Sequence, residues 1–117
     1  MYIRYWPLGL SCLGFFSISL AMLTLGGRAA AIPATVTIDR FQFQPVTLKV
    51  QAGQAVRFLN KDGEPHTVAA QDGSFTSPAL DTGDSWSYAF TQPGTYPYIC
   101  TIHPFMRGTI TVTGAKP

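Results

Sequence analysis

The chain has little with which to build a reactive site. Its 117 residues hold two histidines and two cysteines, and charged side chains make up only 12%. Two histidines exclude a second metal centre of the kind that needs several imidazoles. The one glutamate, Glu64, is in neither a Glu-His nor a Glu-x-x-His pairing, so the usual general base of a hydrolytic metal site is missing. No 3.6-residue periodicity runs through residues 32–117, so helices are not expected there. Net charge is missing too. Residues 32–117 carry six basic and six acidic side chains, and the overall +2 comes from Arg4 and Arg28. A neutral domain lacks the electrostatic footprint of a nucleic-acid binder.

Residues 1–31 differ from the rest. Arg4 is followed by an apolar stretch from Leu8 to Leu25, and Ala29-Ala30-Ala31 fits a small-residue cleavage site. This reads as a secretory signal peptide. The apolar stretch is about 18 residues, near the lower limit for a spanning helix. Cleavage is therefore favoured over retention as an anchor. The reading places a single mature domain, residues 32–117, in the periplasm, and ties it to a membrane only if the leader stays. Cys12, Met1 and Met22 leave with the leader. Cys100 is then a lone thiol in an oxidising compartment, where cysteines normally pair, and it needs a reason to be there.

Residues 35–113 read as short strands with alternating polar and apolar positions, separated by Gly, Pro, Asp and Asn. Thr35 to Asp39, Thr47 to Val50, Ala55 to Leu59 and Ser85 to Phe90 all alternate. In the last of these Trp86, Tyr88 and Phe90 share one face. His66 to Ala70, Thr95 to Cys100 and Gly108 to Thr113 complete the set. Pro97 removes a backbone donor just before Cys100, which suggests an edge or a bulge. Seven or eight short strands in about 80 residues point to an all-β Greek-key sandwich.

The side chains missing elsewhere gather at the end of the chain. Cys100-Thr101-Ile102-His103-Pro104-Phe105-Met106 spaces a thiol, an imidazole and a thioether as C-x₂-H-x₂-M. His66, set by Pro65, is the only imidazole available to join them. A His₂Cys trio with a weak axial Met is the ligand set of a type 1 copper. The same trio also suits zinc, but a soft thioether favours copper. Metal ligation by His66, Cys100, His103 and Met106 also explains the lone thiol. Each ligand has a plainer reading: Met106 and Cys100 as core fillers, His66 as an ordinary histidine. The shared spacing argues against those readings. Asn60, Thr67 and Thr101 are candidates for hydrogen bonds that orient the ligands.

The segment from Cys100 to Arg107 resembles the ligand loop of amicyanin, a small member of the plastocyanin/azurin (cupredoxin) family. Phe41-Gln42-Phe43-Gln44-Pro45, Ala52-Gly53, Asn60-Lys61-Asp62, Pro65-His66-Thr67 and Pro93-Gly94-Thr95-Tyr96 are similar to residues that small cupredoxins carry at those places. The resemblance covers about Ala34 to Thr113. It implies a cupredoxin-like β-sandwich and one Cu(II)/Cu(I) centre. It also implies a monomeric carrier, not an enzyme, that passes one electron between larger redox proteins. His103 would be the partly exposed ligand, and Pro65, His103, Pro104 and Phe105 the patch where donor and acceptor dock. The alternative is a copper chaperone or buffer, but such proteins usually use Met-rich or multiple-His clusters. Multicopper oxidases and copper nitrite reductases also use cupredoxin domains, with further histidines that this chain lacks. Two features depart from amicyanin. The stretch from His66 to Cys100 is shorter, and Ile102 stands where such loops commonly carry Pro. Ile102 thus has an N–H that could point at the Cys100 sulfur.

Overall fold

A computed structural model describes residues 33–114, together with residues 2, 3 and 9. The leader assigned above lies outside the described residues, except for those three.

Eight strands follow one another: β1 Ala34–Asp39, β2 Gln42–Gln44, β3 Thr47–Gln51, β4 Gln54–Asn60, β5 Ala69–Ala70, β6 Ser85–Phe90, β7 Gly94–Ile99 and β8 Arg107–Thr113. They form two four-stranded sheets, ordered β2-β1-β4-β6 and β3-β8-β7-β5. Neighbours pair antiparallel except β1 with β4 and β3 with β8. No helix occurs among the described residues. This is the all-β sandwich that the alternation predicts.

The alternating positions pack between the sheets. Val36, Ile38, Phe43, Val56 and Phe58 come from one sheet, and Val50, Tyr98, Ile110 and Val112 from the other. In β6, Phe90 is buried, Trp86 and Tyr88 are half-buried, and Ser85, Ser87 and Ala89 are exposed. Tyr98 is the largest fully buried side chain. Its ring lies over Gly108 on β8, where any Cβ would overlap it.

Burial raises the Tyr98 phenol well above the ordinary tyrosine range. An unfolded tyrosine ionises near pH 10, whereas in the fold Tyr98 stays protonated. Tyr98 therefore contributes its stability in full below about pH 10, and loses it progressively as pH rises further. Its hydroxyl also lacks a hydrogen-bond partner. Tyr98→Phe is thus expected to match or exceed the wild type in stability at neutral pH and to flatten the alkaline limb. Urea melts from pH 7 to 11 check this. An unchanged alkaline limb would contradict it.

Two expectations change in detail. The strand expected from His66 to Ala70 shrinks to Ala69–Ala70, with His66 in an isolated bridge to Leu80. Side chains take the backbone donors that a longer strand would use. The Thr67 N–H goes to Cys100 Sγ and the Val68 N–H to Ser77 Oγ. Pro97 lies in an inner strand, yet at a local edge. β5 pairs only with Ile99 and Tyr98. The Pro97 carbonyl accepts from Gln71 N–H on that side, so the missing N–H faces the space beyond the end of β5.

The β1–β2 connection was not foreseen. Asp39 pairs with Gln42, leaving a two-residue loop of Arg40 and Phe41. Both have positive φ, 51° and 56°. That is the type I′ hairpin geometry, which normally selects Asn-Gly. A left-handed conformation costs an ordinary L-residue about 1–2 kcal/mol. Asp62 opposes that cost, because its carboxylate accepts the Arg40 N–H at 2.6 Å and the Phe41 N–H at 2.9 Å.

Candidate metal centre

Two loops at one end of the sandwich build the centre. β4 ends at Asn60, and the chain then turns through Lys61 to Pro65 to reach His66. β7 ends at Ile99, and the loop from Cys100 to Met106 leads into β8.

Each loop is fixed from within. Asn60 is fully buried and holds the first one with three bonds. Its Nδ2 donates to the carbonyls of Glu64 and Leu80, and its Oδ1 accepts the Asp62 N–H. The second loop closes on itself. Cys100 N–H donates to the Met106 carbonyl at 3.1 Å, and Met106 N–H to the His103 carbonyl at 2.9 Å. That places His103 and Met106 back beside Cys100, as the C-x₂-H-x₂-M spacing requires.

The loops are then tied to each other. Thr101 N–H donates to Thr67 Oγ1 at 2.8 Å, and the two threonine hydroxyls lie 2.7 Å apart. Thr67 N–H reaches Cys100 Sγ at 3.4 Å. The bond to the sulfur thus comes from Thr67, not from the exposed Ile102 considered above. An N–H at that position stabilises charge on the thiolate and tunes the centre.

The donor atoms converge. One donor atom each from His66, Cys100 and His103 lies within 4.8 Å of the others. Cys100 Sγ is 3.7 Å from His66 Nδ1 and 3.8 Å from His103 Nδ1. His66 and Cys100 are fully buried, Met106 is buried beside Cys100 in the core, and His103 is half-exposed. This difference in exposure is the one expected for the two histidines.

Residues 12–112 match the cupredoxin-like domain family. The chain belongs to the cupredoxin family. It is 37% identical to amicyanin-alpha of Methylorubrum extorquens over 73% of this chain and 76% of that protein. Its fold is similar to that of an oxidised single-substitution variant of amicyanin, with a TM-score of 0.66 and 32% identity, covering 68% of this chain and 81% of the other. A copper-containing nitrite reductase from Thermus scotoductus also matches, with a TM-score of 0.67 and 33% identity, over 74% of this chain but only 23% of the enzyme. As a cupredoxin, this chain is of the copper electron-transfer type to which amicyanin and plastocyanin belong.

The site's own chemistry agrees. A buried thiol and two imidazoles meeting at one point, with a thioether in the same loop, suit one type 1 copper. A trio of one thiol and two imidazoles, without a carboxylate, offers little to a hard cation.

Two residues of the centre escaped sequence reasoning. Asp62 Oδ2 lies 2.8 Å from His66 Nε2. Burial would raise the Asp62 carboxyl, but the N–H groups of Phe41 and Arg40 and the His66 ring outweigh it and hold it below the usual carboxylate range. Phe41 packs edge-on to both imidazoles, with centroids 5.5 Å from His66 and 5.2 Å from His103. Both fall in segments that resemble small cupredoxins, but only Asp62 carries a further signal, a carboxylate four residues before a ligand histidine on a loop rich in turn residues. Nothing in the sequence ties Phe41 to the metal.

Proposed function

We propose that residues 32–117 are a periplasmic blue-copper electron carrier in which His66, Cys100, His103 and Met106 hold one copper ion. The observation that carries this reading is the convergence of one buried thiol and two imidazoles of unequal exposure within 4.8 Å. Bound copper supplies a one-electron Cu(II)/Cu(I) couple.

The protein's part is to hold the donors still. Transfer is fast when the donors keep one arrangement in both oxidation states. The Thr67–Thr101 bonds and the closed Cys100–Met106 loop restrain them. The leader, residues 1–31, would export the domain and be removed.

Electrons would enter and leave at His103. Its ring is half-exposed, and Pro104 and Phe105 beside it are exposed, with Phe105 at 69%. Pro65, half-buried, would complete a small uncharged patch. Brief contact with a donor and then an acceptor suits so limited an interface. The protein would act as a monomer, without substrate turnover, since protein side chains fill the positions around the metal.

The test is the visible spectrum of the mature domain loaded with Cu(II). Intense thiolate-to-Cu(II) absorption is expected, and a colourless Cu(II) adduct would overturn the reading. Rapid electron self-exchange separates a carrier from a chaperone, which would instead bind Cu(I) tightly and hand it to an apo-partner.

A further inference from the structure

Three observations meet at Asp62. It is buried, at 8% exposure, in a loop whose charged neighbours Lys61 and Glu64 are exposed. Its carboxylate oxygens face three donors: Arg40 N, Phe41 N and His66 Nε2. The first two belong to a type I′ turn built from residues that disfavour it. Strain of this kind persists where the surroundings over-determine it, and it clusters at functional sites. Here the strained turn places the Phe41 ring against both imidazoles, and Phe41 also lies 6.4 Å from Phe105.

We propose that Asp62 is a positioning residue of the metal centre, whose carboxylate fixes the His66 ring through Nε2–H and holds the Arg40–Phe41 turn so that Phe41 covers both imidazoles. The inference rests on the reading of His66 as a ligand through Nδ1. A carboxylate can only accept, so the proton between Asp62 and His66 sits on Nε2. That leaves the Nδ1 lone pair facing Cys100 Sγ. Oδ2 accepts from both His66 and Phe41, so one oxygen couples the ring's orientation to the turn. Asn60 fixes the carboxylate in turn, because its Oδ1 accepts the Asp62 N–H. Phe41 closes the side of the imidazoles that faces the β1–β2 turn. A larger apolar cover there limits the access of water and of competing ligands to the two rings.

Asparagine at position 62 keeps the size but presents an NH₂ to at least one of the three donors. Asp62→Asn is therefore expected to bind Cu(II) roughly 10- to 100-fold more weakly, the usual effect of losing a partner of a metal-bound histidine. Proton NMR of the full Cu(I)-loaded protein, labelled with ¹⁵N-histidine, gives a readout independent of electron transfer. In the wild type the His66 Nε2–H should be downfield and slow to exchange with water, and in Asp62→Asn it should exchange rapidly. The wild-type spectrum alone decides the matter if the variant fails to fold, since a rapidly exchanging His66 Nε2–H there overturns the proposal. Cu(II) affinity unchanged in a folded Asp62→Asn would also overturn it. Failure of the ligand assignment looks different, because the His66 Nδ1 shift would then not respond to Cu(I).

A second variant isolates Phe41. Arg40→Asn combined with Phe41→Gly gives the turn its preferred residues, so folding is not at issue. The metal-free domain should become more stable, while bound copper is lost faster to a chelator. Copper loss at the wild-type rate would show that Phe41 does not cover the site.

Discussion

Cys100→Ser, loaded with Cu(II), is expected to lose the intense visible absorption completely while keeping the sandwich. The colour would come from charge transfer between the thiolate and Cu(II), and a serine hydroxyl supplies no equivalent at these energies. The fold should survive because the replacement is nearly isosteric and the surrounding core, from Val68 and Tyr98 to Ile110, is intact. A buried hydroxyl without good partners costs about 1–3 kcal/mol, a modest loss for a domain of this size. The Thr67 N–H now bonded to sulfur can turn to the hydroxyl oxygen. Far-ultraviolet circular dichroism and the visible spectrum of one sample check both halves. Retained blue colour would remove Cys100 from the centre, and with it the main support for the proposed function.

Asn60→Ala is expected to cost about 2–4 kcal/mol in a urea melt, more than most single substitutions. Asn60 is fully buried and makes three hydrogen bonds. Its removal orphans the Asp62 N–H in the interior, which costs about 1–3 kcal/mol, and the lost bond to the Leu80 carbonyl, which keeps the His66 N–H, adds about 1 kcal/mol. The Glu64 carbonyl belongs to an exposed residue and can turn to water. The effect should not stop at stability. The loop from Asn60 to His66 would lose its anchor, so copper affinity should fall together with the melting midpoint. A loss below about 1 kcal/mol would mean that water replaces all three bonds.

Cys100, His103 and Met106 are legible because their spacing is local: a loop of seven residues folds back on itself, so sequence distance and spatial distance agree. His66 is legible by elimination, as the one remaining imidazole. The strands are legible because burial between two sheets writes a period of two into Val36–Ile38, Val56–Phe58 and Ile110–Val112.

Asp62 and Phe41 are not legible. Each owes its role to a contact across about 21 residues of chain, between a loop after β4 and a turn after β1. The turn itself gives no warning, since the residues that report a type I′ hairpin are Asn and Gly, and here they are Arg40 and Phe41. The truncation of β5 was hidden for a similar reason. Thr67 and Val68 look like strand residues, and only the arrival of Cys100 Sγ and Ser77 Oγ diverts their N–H groups.

The complete burial of Cys100 turns the thiol into a built-in clock for the opening of its own loop. With the sulfur at 0% exposure, a thiol reagent can label the metal-free protein only during excursions in which the Cys100–Met106 segment lifts away or the whole sandwich unfolds. Labelling rates at rising urea concentrations would separate the two, because local lifting exposes little surface and responds weakly to denaturant, whereas global unfolding responds steeply. Cys100 is the one free cysteine among the described residues, so for the domain from residue 32 onward the signal needs no engineered label. The same residue that suits the site to a soft metal ion thus reports, in the metal-free chain, how often that site comes apart.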